Sequence, residues 1–283
     1  MKLAQRTRSI KPAILQAVTS KANKLKAQGH DVIGLGVGEP DFDTPRHIKD
    51  AAIQAINSGF TKYTAVDGTP SLKQAVINKF RRDNALEYSP KQIIVSCGGK
   101  HSFFNIVQAT IDPGDEVIIP APYWASFPDI VALAGGVPVI VQTGIAQAFK
   151  ISATQLEQAI TPRTRMLILN SPSNPTGAIY SRDDLAELGE VLVRHPQVLI
   201  VSDDMYEHIL FDDRPFVNIL NVCPELYGQT VIMNAVSKTY AMTGWRIGFA
   251  AGPEDVVAAM VNVQSQSTSN PTSIAQVAAE AAL

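Results

Sequence analysis

From residue 93 onward, seven short apolar runs recur, at 93–96, 117–119, 137–141, 166–170, 198–202, 231–234 and 247–251. Helix-like stretches separate most of them, near 100–110, 124–134, 154–160, 182–194 and 254–264. Strands alternating with helices build βαβ units, which place a mainly parallel sheet between two helical layers. The pattern therefore predicts a three-layer α/β fold. Ahead of it, Ile14, Val18, Ala22 and Leu25 fall on one helical face, predicting a helix over 14–28 closed by Gly29. An apolar run at 32–37 reads as a further strand. Thr44 and Pro45 read as the N-cap and first residue of a helix ending near Gly59. Leu72, Val76 and Phe80 mark another, ended by the polar run 81–84.

Several classes of function drop out. The 283 residues suffice for one large domain, or one plus part of a second. A hydrophobic fraction of 46% against 18% charged residues suits an ordered globular enzyme. A net charge of −2 offers no basic excess, which argues against nucleic acid as a partner. The most apolar stretch, 130–141, is short and broken by Gly135, Gly136 and Pro138, so it cannot span a bilayer. The first eighteen residues carry scattered charges and do not resemble a signal peptide. Two cysteines, Cys97 and Cys223, form no CxxC pair, which points to a reducing cytoplasm.

Familiar motifs fail as well. Gly34, Gly36 and Gly38 lead into Glu39 and Pro40, which breaks the dinucleotide fingerprint; Gly98-Gly99-Lys100 lacks the first glycine and the Ser or Thr of a P-loop. Neither HExxH nor GxSxG occurs, so a histidine-based metal site and the commonest hydrolase signal have no support.

The unusual sequences instead come directly after the strand runs: Cys97-Gly-Gly-Lys100, Ala121-Pro-Tyr-Trp124, Ser171-Pro-Ser-Asn-Pro-Thr-Gly177, Asp203-Asp-Met-Tyr206 and Ser237-Lys-Thr-Tyr240. Open α/β sheets bind ligands beyond the carboxyl ends of their strands, so five such junctions can converge on one site. The stretch from Ser237 to Gly248 carries the most specific signal. It resembles the S-K-x-x-x-x-x-G-x-R-x-G segment of class I aminotransferases of fold type I. The 171–177 loop is similar to their N-P-x-N-P-T-G loop, with serines at 171 and 173, and Gly38-Glu-Pro-Asp-Phe42 to their G-x-P-D-F loop. The match runs in order through nearly the whole chain. It is most similar to the prokaryotic-type aspartate aminotransferases.

The resemblance implies pyridoxal 5′-phosphate as cofactor, with Lys238 as the lysine that carries it and, once released, the general base. It implies a phosphate site made by Gly99, Lys100, Ser237 and Arg246, and a ring partner in Asp203, with Asp204 a competing candidate. Asn174 and Tyr206 would hold the 3′-oxygen. Trp124 would stack on the ring, although plain core packing accounts for it equally well. Gly38 would approach the substrate carboxylate, Lys11 would stand near the substrate entrance, and Tyr63 would reach the phosphate of a neighbouring subunit, which makes the enzyme a homodimer. Lys100 matches a lysine for the distal carboxylate of aspartate or glutamate; a role in the phosphate cradle, or a place on the surface, stays open. Substrates would be an amino acid and a 2-oxo acid. A lyase or synthase on the same fold, and a non-catalytic domain that kept the fold, are alternatives. Such enzymes end with a small domain bearing an arginine for the α-carboxylate, whereas this sequence stops at Leu283 within a helix-like stretch. The expectation is therefore a C-terminally incomplete chain: 1–44 an arm and helix of a partial small domain, 45–283 the large cofactor-binding domain.

Overall fold

A computed structural model describes residues 2–8 and 14–283. Helix α1 spans Ile14–Ala27, α2 Arg46–Asn57 and α3 Pro70–Asn84. The chain continues with β1 (Ile93–Ser96), α4 (Gly99–Thr110), β2 (Glu116–Ala121), α5 (Ser126–Leu133) and β3 (Val137–Gln142). Next come α6 (Ala153–Ala159), β4 (Thr164–Asn170), α7 (Arg182–Val193), β5 (Leu199–Asp203), β6 (Thr230–Ala235), β7 (Gly248–Ala251), α8 (Glu254–Ser265) and α9 (Ser273–Ala282).

Among the described residues, seven strands form one sheet in the order β1-β7-β6-β5-β4-β2-β3. Pairing is parallel from β6 across to β3, and β7 alone runs against both its neighbours. Alternation along the strands divides the core. Val95, Ile118, Leu167, Leu169, Ile200, Ile232 and Phe249 face one way, against Phe80 of α3, Leu188 of α7 and Ala278 of α9. Ile94, Val117, Ile119, Met166, Ile168, Val201 and Met233 face the other, against Phe103 of α4, Phe127 of α5 and Met260 of α8. Side chains of successive strand residues point to opposite faces, so near-continuous apolar runs are what a sheet covered on both sides requires. The expected three-layer α/β fold is present.

Three local expectations fail. Residues 32–37 form no strand, and Ile33 and Leu35 are 83% and 89% exposed. The run has strand composition but no described strand to pair with, and burial rather than composition decides such segments. Thr44 does not cap α2; Pro45 occupies the cap position and no side chain bonds there. The Thr44 hydroxyl instead donates to Ala241 O at 2.6 Å and accepts from Trp245 Nε1 at 3.1 Å. Helix α3 also continues through the polar run to Asn84, because Arg81 pairs with Glu87 outside while Lys79 and Asn84 turn inward onto Glu207. No described helix is long and apolar enough to cross a membrane.

Candidate active site

The register brings the chemistry to one edge of the sheet. Gly248 opens β7 opposite both Ser96, the end of β1, and Ala235, the end of β6. Asn170, the end of β4, pairs with Asp203, the end of β5. The segments that leave β1, β2, β4, β5 and β6, and the one that enters β7, therefore meet at this edge. A cavity of about 760 Å³ opens there. It is lined by Gly38, Gly99, Lys100, Trp124, Asn174, Asp203, Tyr206, Ser237, Lys238 and Arg246, ten of the twelve residues singled out in the sequence. Tyr63 is not among them; it stands 93% exposed on the outside of its own chain. Lys11 lies outside the described residues.

Lys238 sits just beyond β6 and donates from Nζ to Gly38 O at 2.5 Å. Burial holds its ammonium below the usual lysine range; nearby Glu39 opposes that effect and Arg246 adds to it. Desolvation is the largest of these effects. Glu39, which sequence reading passed over, accepts from Thr243 Oγ1 at 2.8 Å and lines the same cavity.

Arg246 sits in the left-handed region, φ 57°, which is unfavourable for a side chain. Its guanidinium is held by Thr243 O at 2.8 Å and Cys97 O at 3.3 Å. Gly98 beside it has φ 90°, a backbone that favours glycine, and a Cβ there would lie 2.2 Å from Arg246 Nη2 and displace the guanidinium. A Cβ on Gly99 would meet Met205 Cε at 2.4 Å, and one on Gly248 would meet the Gly98 carbonyl carbon at 2.4 Å. These glycines let a guanidinium and the first turn of α4 close on one point. The opening N–H groups of a helix have no partner within the helix, so the pocket suits an anion.

Asp203 and Asp204 diverge. Asp204 turns away from the cavity, accepting from Ser202 Oγ at 2.7 Å and Asn218 Nδ2 at 2.5 Å. Asp203 lines the cavity, and among the described residues its hydrogen bond comes from Met205 N at 3.2 Å. Burial pushes the Asp203 carboxyl up to about 7. A buried carboxylate with so few donors calls for a cationic or N–H partner supplied by a ligand. Asn174 Nδ2 lies 3.4 Å from Tyr206 Oη, so these two groups form a pair across the cavity wall. The pair depends on Asn170, whose Oδ1 accepts from Asn174 N at 2.7 Å and whose Nδ2 donates to Asp203 O at 3.0 Å. Burial, reinforced by Asp203, raises the Tyr206 phenol. Trp124 lies edge-on to Phe127, with ring centroids 5.2 Å apart, and carries Lys100 Nζ 5.0 Å above its own centroid. It is thus both part of the core and a wall of the cavity. Met205, Met233, Thr243, and Thr19 and Ser20 of α1 also line the space; nothing in their residue types would have flagged them.

A family model described as aminotransferase class I and II matches residues 30–283. The chain belongs to that family. It is 66% identical to an aspartate/prephenate aminotransferase of Nitrosomonas europaea, over all of this chain and 71% of that protein. It is 57% identical to an aspartate aminotransferase of Geobacillus stearothermophilus, over all of this chain and 72% of that one. Among solved structures, the aspartate aminotransferase of Rhizobium meliloti superposes with a TM-score of 0.96 at 51% identity, covering all of this chain and 70% of that one. The aspartate aminotransferase of Thermus thermophilus with maleate gives 0.95 at 45% identity, covering all of this chain and 72% of that one. The chain is accordingly an aminotransferase that uses pyridoxal 5′-phosphate. The site fits that group: an anion cradle lined by glycines, a buried carboxylate short of donors, and a lysine whose ammonium burial disfavours stand around one cavity.

Proposed function

We propose that this aminotransferase moves the amino group of a dicarboxylic amino acid, aspartate or glutamate, onto a 2-oxo acid. Bound pyridoxal phosphate supplies the electron-accepting ring. Lys238 Nζ carries the cofactor and, when displaced by the substrate amine, takes the proton from the substrate α-carbon. Its depressed basicity serves both roles, since an ammonium can neither attack nor accept a proton. Arg246, Ser237 and the first turn of α4 hold the phosphate, a guanidinium fork being suited to its oxygens. Asp203 holds the ring nitrogen, Asn174 and Tyr206 the 3′-oxygen, Trp124 the ring face and Gly38 the substrate carboxylate.

One observation carries the substrate assignment. Lys100 is exposed to the cavity it lines, over the Trp124 ring, and pairs with no carboxylate among the described residues. An ammonium without a carboxylate partner, facing a ligand space, can take the carboxylate of a bound substrate. Both substrates in the name of the Nitrosomonas relative carry two carboxylates, as does the maleate of the Thermus structure. Steady-state kinetics with aspartate, alanine and phenylalanine, before and after Lys100→Ala, test the assignment. The substitution should lower kcat/KM for aspartate by about ten- to a hundredfold, the worth of one charged hydrogen bond, and leave cofactor affinity unchanged. Weaker cofactor binding with an undiminished preference for aspartate would place Lys100 on the phosphate.

The active unit is proposed to be a homodimer in which Tyr63 serves the neighbour's phosphate. The support is its exposure outside its own cavity. Cys97 and Cys223 are both unpaired, which accords with the cytoplasm as its location.

A further inference from the structure

We propose that two fully buried glutamines, Gln264 of α8 and Gln276 of α9, are positioning residues that set Tyr63 for the cofactor site of a second copy of the chain. The inference rests on the dimeric role proposed for Tyr63.

Residues 58–69 join α2 to α3 without regular structure. Connections of this kind ordinarily satisfy their polar groups with water and move accordingly. Here side chains from the far end of the sequence take that place. Gln276 Nε2 donates to Thr64 Oγ1 at 3.0 Å, and its Oε1 accepts from Thr69 N at 2.8 Å. Gln264 Nε2 donates to Val66 O at 2.6 Å and to Val95 O of β1 at 2.8 Å. Its Oε1 accepts from Ser96 Oγ at 2.7 Å and Asn105 Nδ2 at 2.8 Å. Ser273 Oγ donates to Phe60 O at 2.9 Å. Neither glutamine is accessible to solvent. A buried amide whose donors and acceptor are all engaged has one orientation, and it imposes that orientation on its partners. The loop also lies flush on the sheet: a Cβ on Gly68 would stand 2.6 Å from Val95 Cγ2.

The side chain that this framework holds still is an exposed one. Tyr63 precedes Thr64, the residue gripped by Gln276, and lies outside its own cavity. Ordering a loop costs conformational entropy, and neither the core nor the chain's own site uses the aromatic at its tip. Ile53, Ile56 and Phe60, just before it, are exposed too, which is the apolar flank that a second copy would cover. A phenol fixed at the rim of such a contact presents one O–H donor. The group in this fold that would take it is an anion in the cradle of Arg246 and α4.

The test is a double-mutant cycle on the holoenzyme, reading the dissociation constant of pyridoxal phosphate, with dimer mass measured alongside. Tyr63→Phe should weaken binding about fivefold, the worth of one hydrogen bond. Gln276→Leu should weaken it comparably in the native background and no further in the Tyr63→Phe background, since a residue acting through Tyr63 has nothing left to act on. Thr64→Val removes the hydroxyl that Gln276 grips and should show the same non-additivity; it serves where Gln276→Leu does not fold. If each substitution weakens binding equally in both backgrounds, the inference falls while the role of Tyr63 stands. If Tyr63→Phe leaves affinity unchanged in a dimeric enzyme, both fall.

Discussion

At the scale of single residues, the two adjacent aspartates show what a sequence displays and what it hides. Both are wholly buried, and burial pushes both carboxyls up to about 7, with Glu207 adding to the effect on Asp204. Because the folded chain holds these protons more tightly than the unfolded one, whose aspartates titrate near 4, their contribution is complete below about pH 4 and is lost as pH rises toward 7. In cofactor-free protein, Asp203→Asn should therefore gain stability relative to the native chain as pH climbs from 4 to 8. Denaturant midpoints across that range check it, and a pH-independent difference would count against a buried, donor-poor carboxyl. With the cofactor present the order should reverse, the amide holding the ring nitrogen less well. That the two aspartates turn to opposite sides follows from strand alternation and was readable; which of them lines the cavity was not, since Asp203 was favoured by resemblance. That Asp204 would find Ser202 and Asn218 was not, because Asn218 arrives through a loop with no periodic signal. Glu39 was missed for a related reason: its effect on Lys238 arises across about two hundred residues of sequence, where no local pattern reports proximity.

At the scale of elements, the strand runs and the helices between them were legible because periodicity is local. Their failures occur where tertiary contacts override it. The run at 32–37 has the composition of a strand without a neighbour, and Thr44 has the chemistry of a cap but commits its hydroxyl to the 236–247 loop. Thr44→Val should leave α2 intact and loosen that loop, costing about 1 kcal/mol in stability for the lost hydrogen bonds and raising the rate at which the cofactor dissociates. Amide exchange at Ala241 and Met242 would report the loosening; unchanged protection there would contradict it. The start of α4 permits a sharper test. Gly98→Ala puts a methyl group where Arg246 Nη2 lies, so the guanidinium must leave Cys97 O. Pyridoxal phosphate should bind at least about tenfold more weakly, as expected for a displaced charged contact, while far-ultraviolet dichroism stays native. Undiminished affinity would show that the arginine does not serve the phosphate.

At the scale of the whole molecule, the division of labour between copies can be read from hybrids. A dimer pairing a Lys238→Ala chain with a Tyr63→Phe chain contains one complete site if Tyr63 acts across the interface and none if it acts within its own chain. Borohydride should then fix cofactor to half the sites at native affinity; affinity as weak as in the Tyr63→Phe homodimer would reject the crossing. Much of the large-scale plan was visible in the motifs at strand ends, but the reversed direction of β7 was not, since a strand's polarity leaves no mark on its composition. That reversal makes residues 236–247 a return rather than a crossover: the chain leaves β6 and re-enters the sheet at the same edge. Lys238 and Arg246 consequently stand on one short segment clasped at its middle by Thr44. On the roles proposed for them, a covalent anchor at Lys238 and an ionic anchor at Arg246 would be the two jaws of a caliper. A pyridoxal analogue lengthened between ring and phosphate should then seat at one jaw or the other and bind more weakly than pyridoxal phosphate, a selection by length set by the fold.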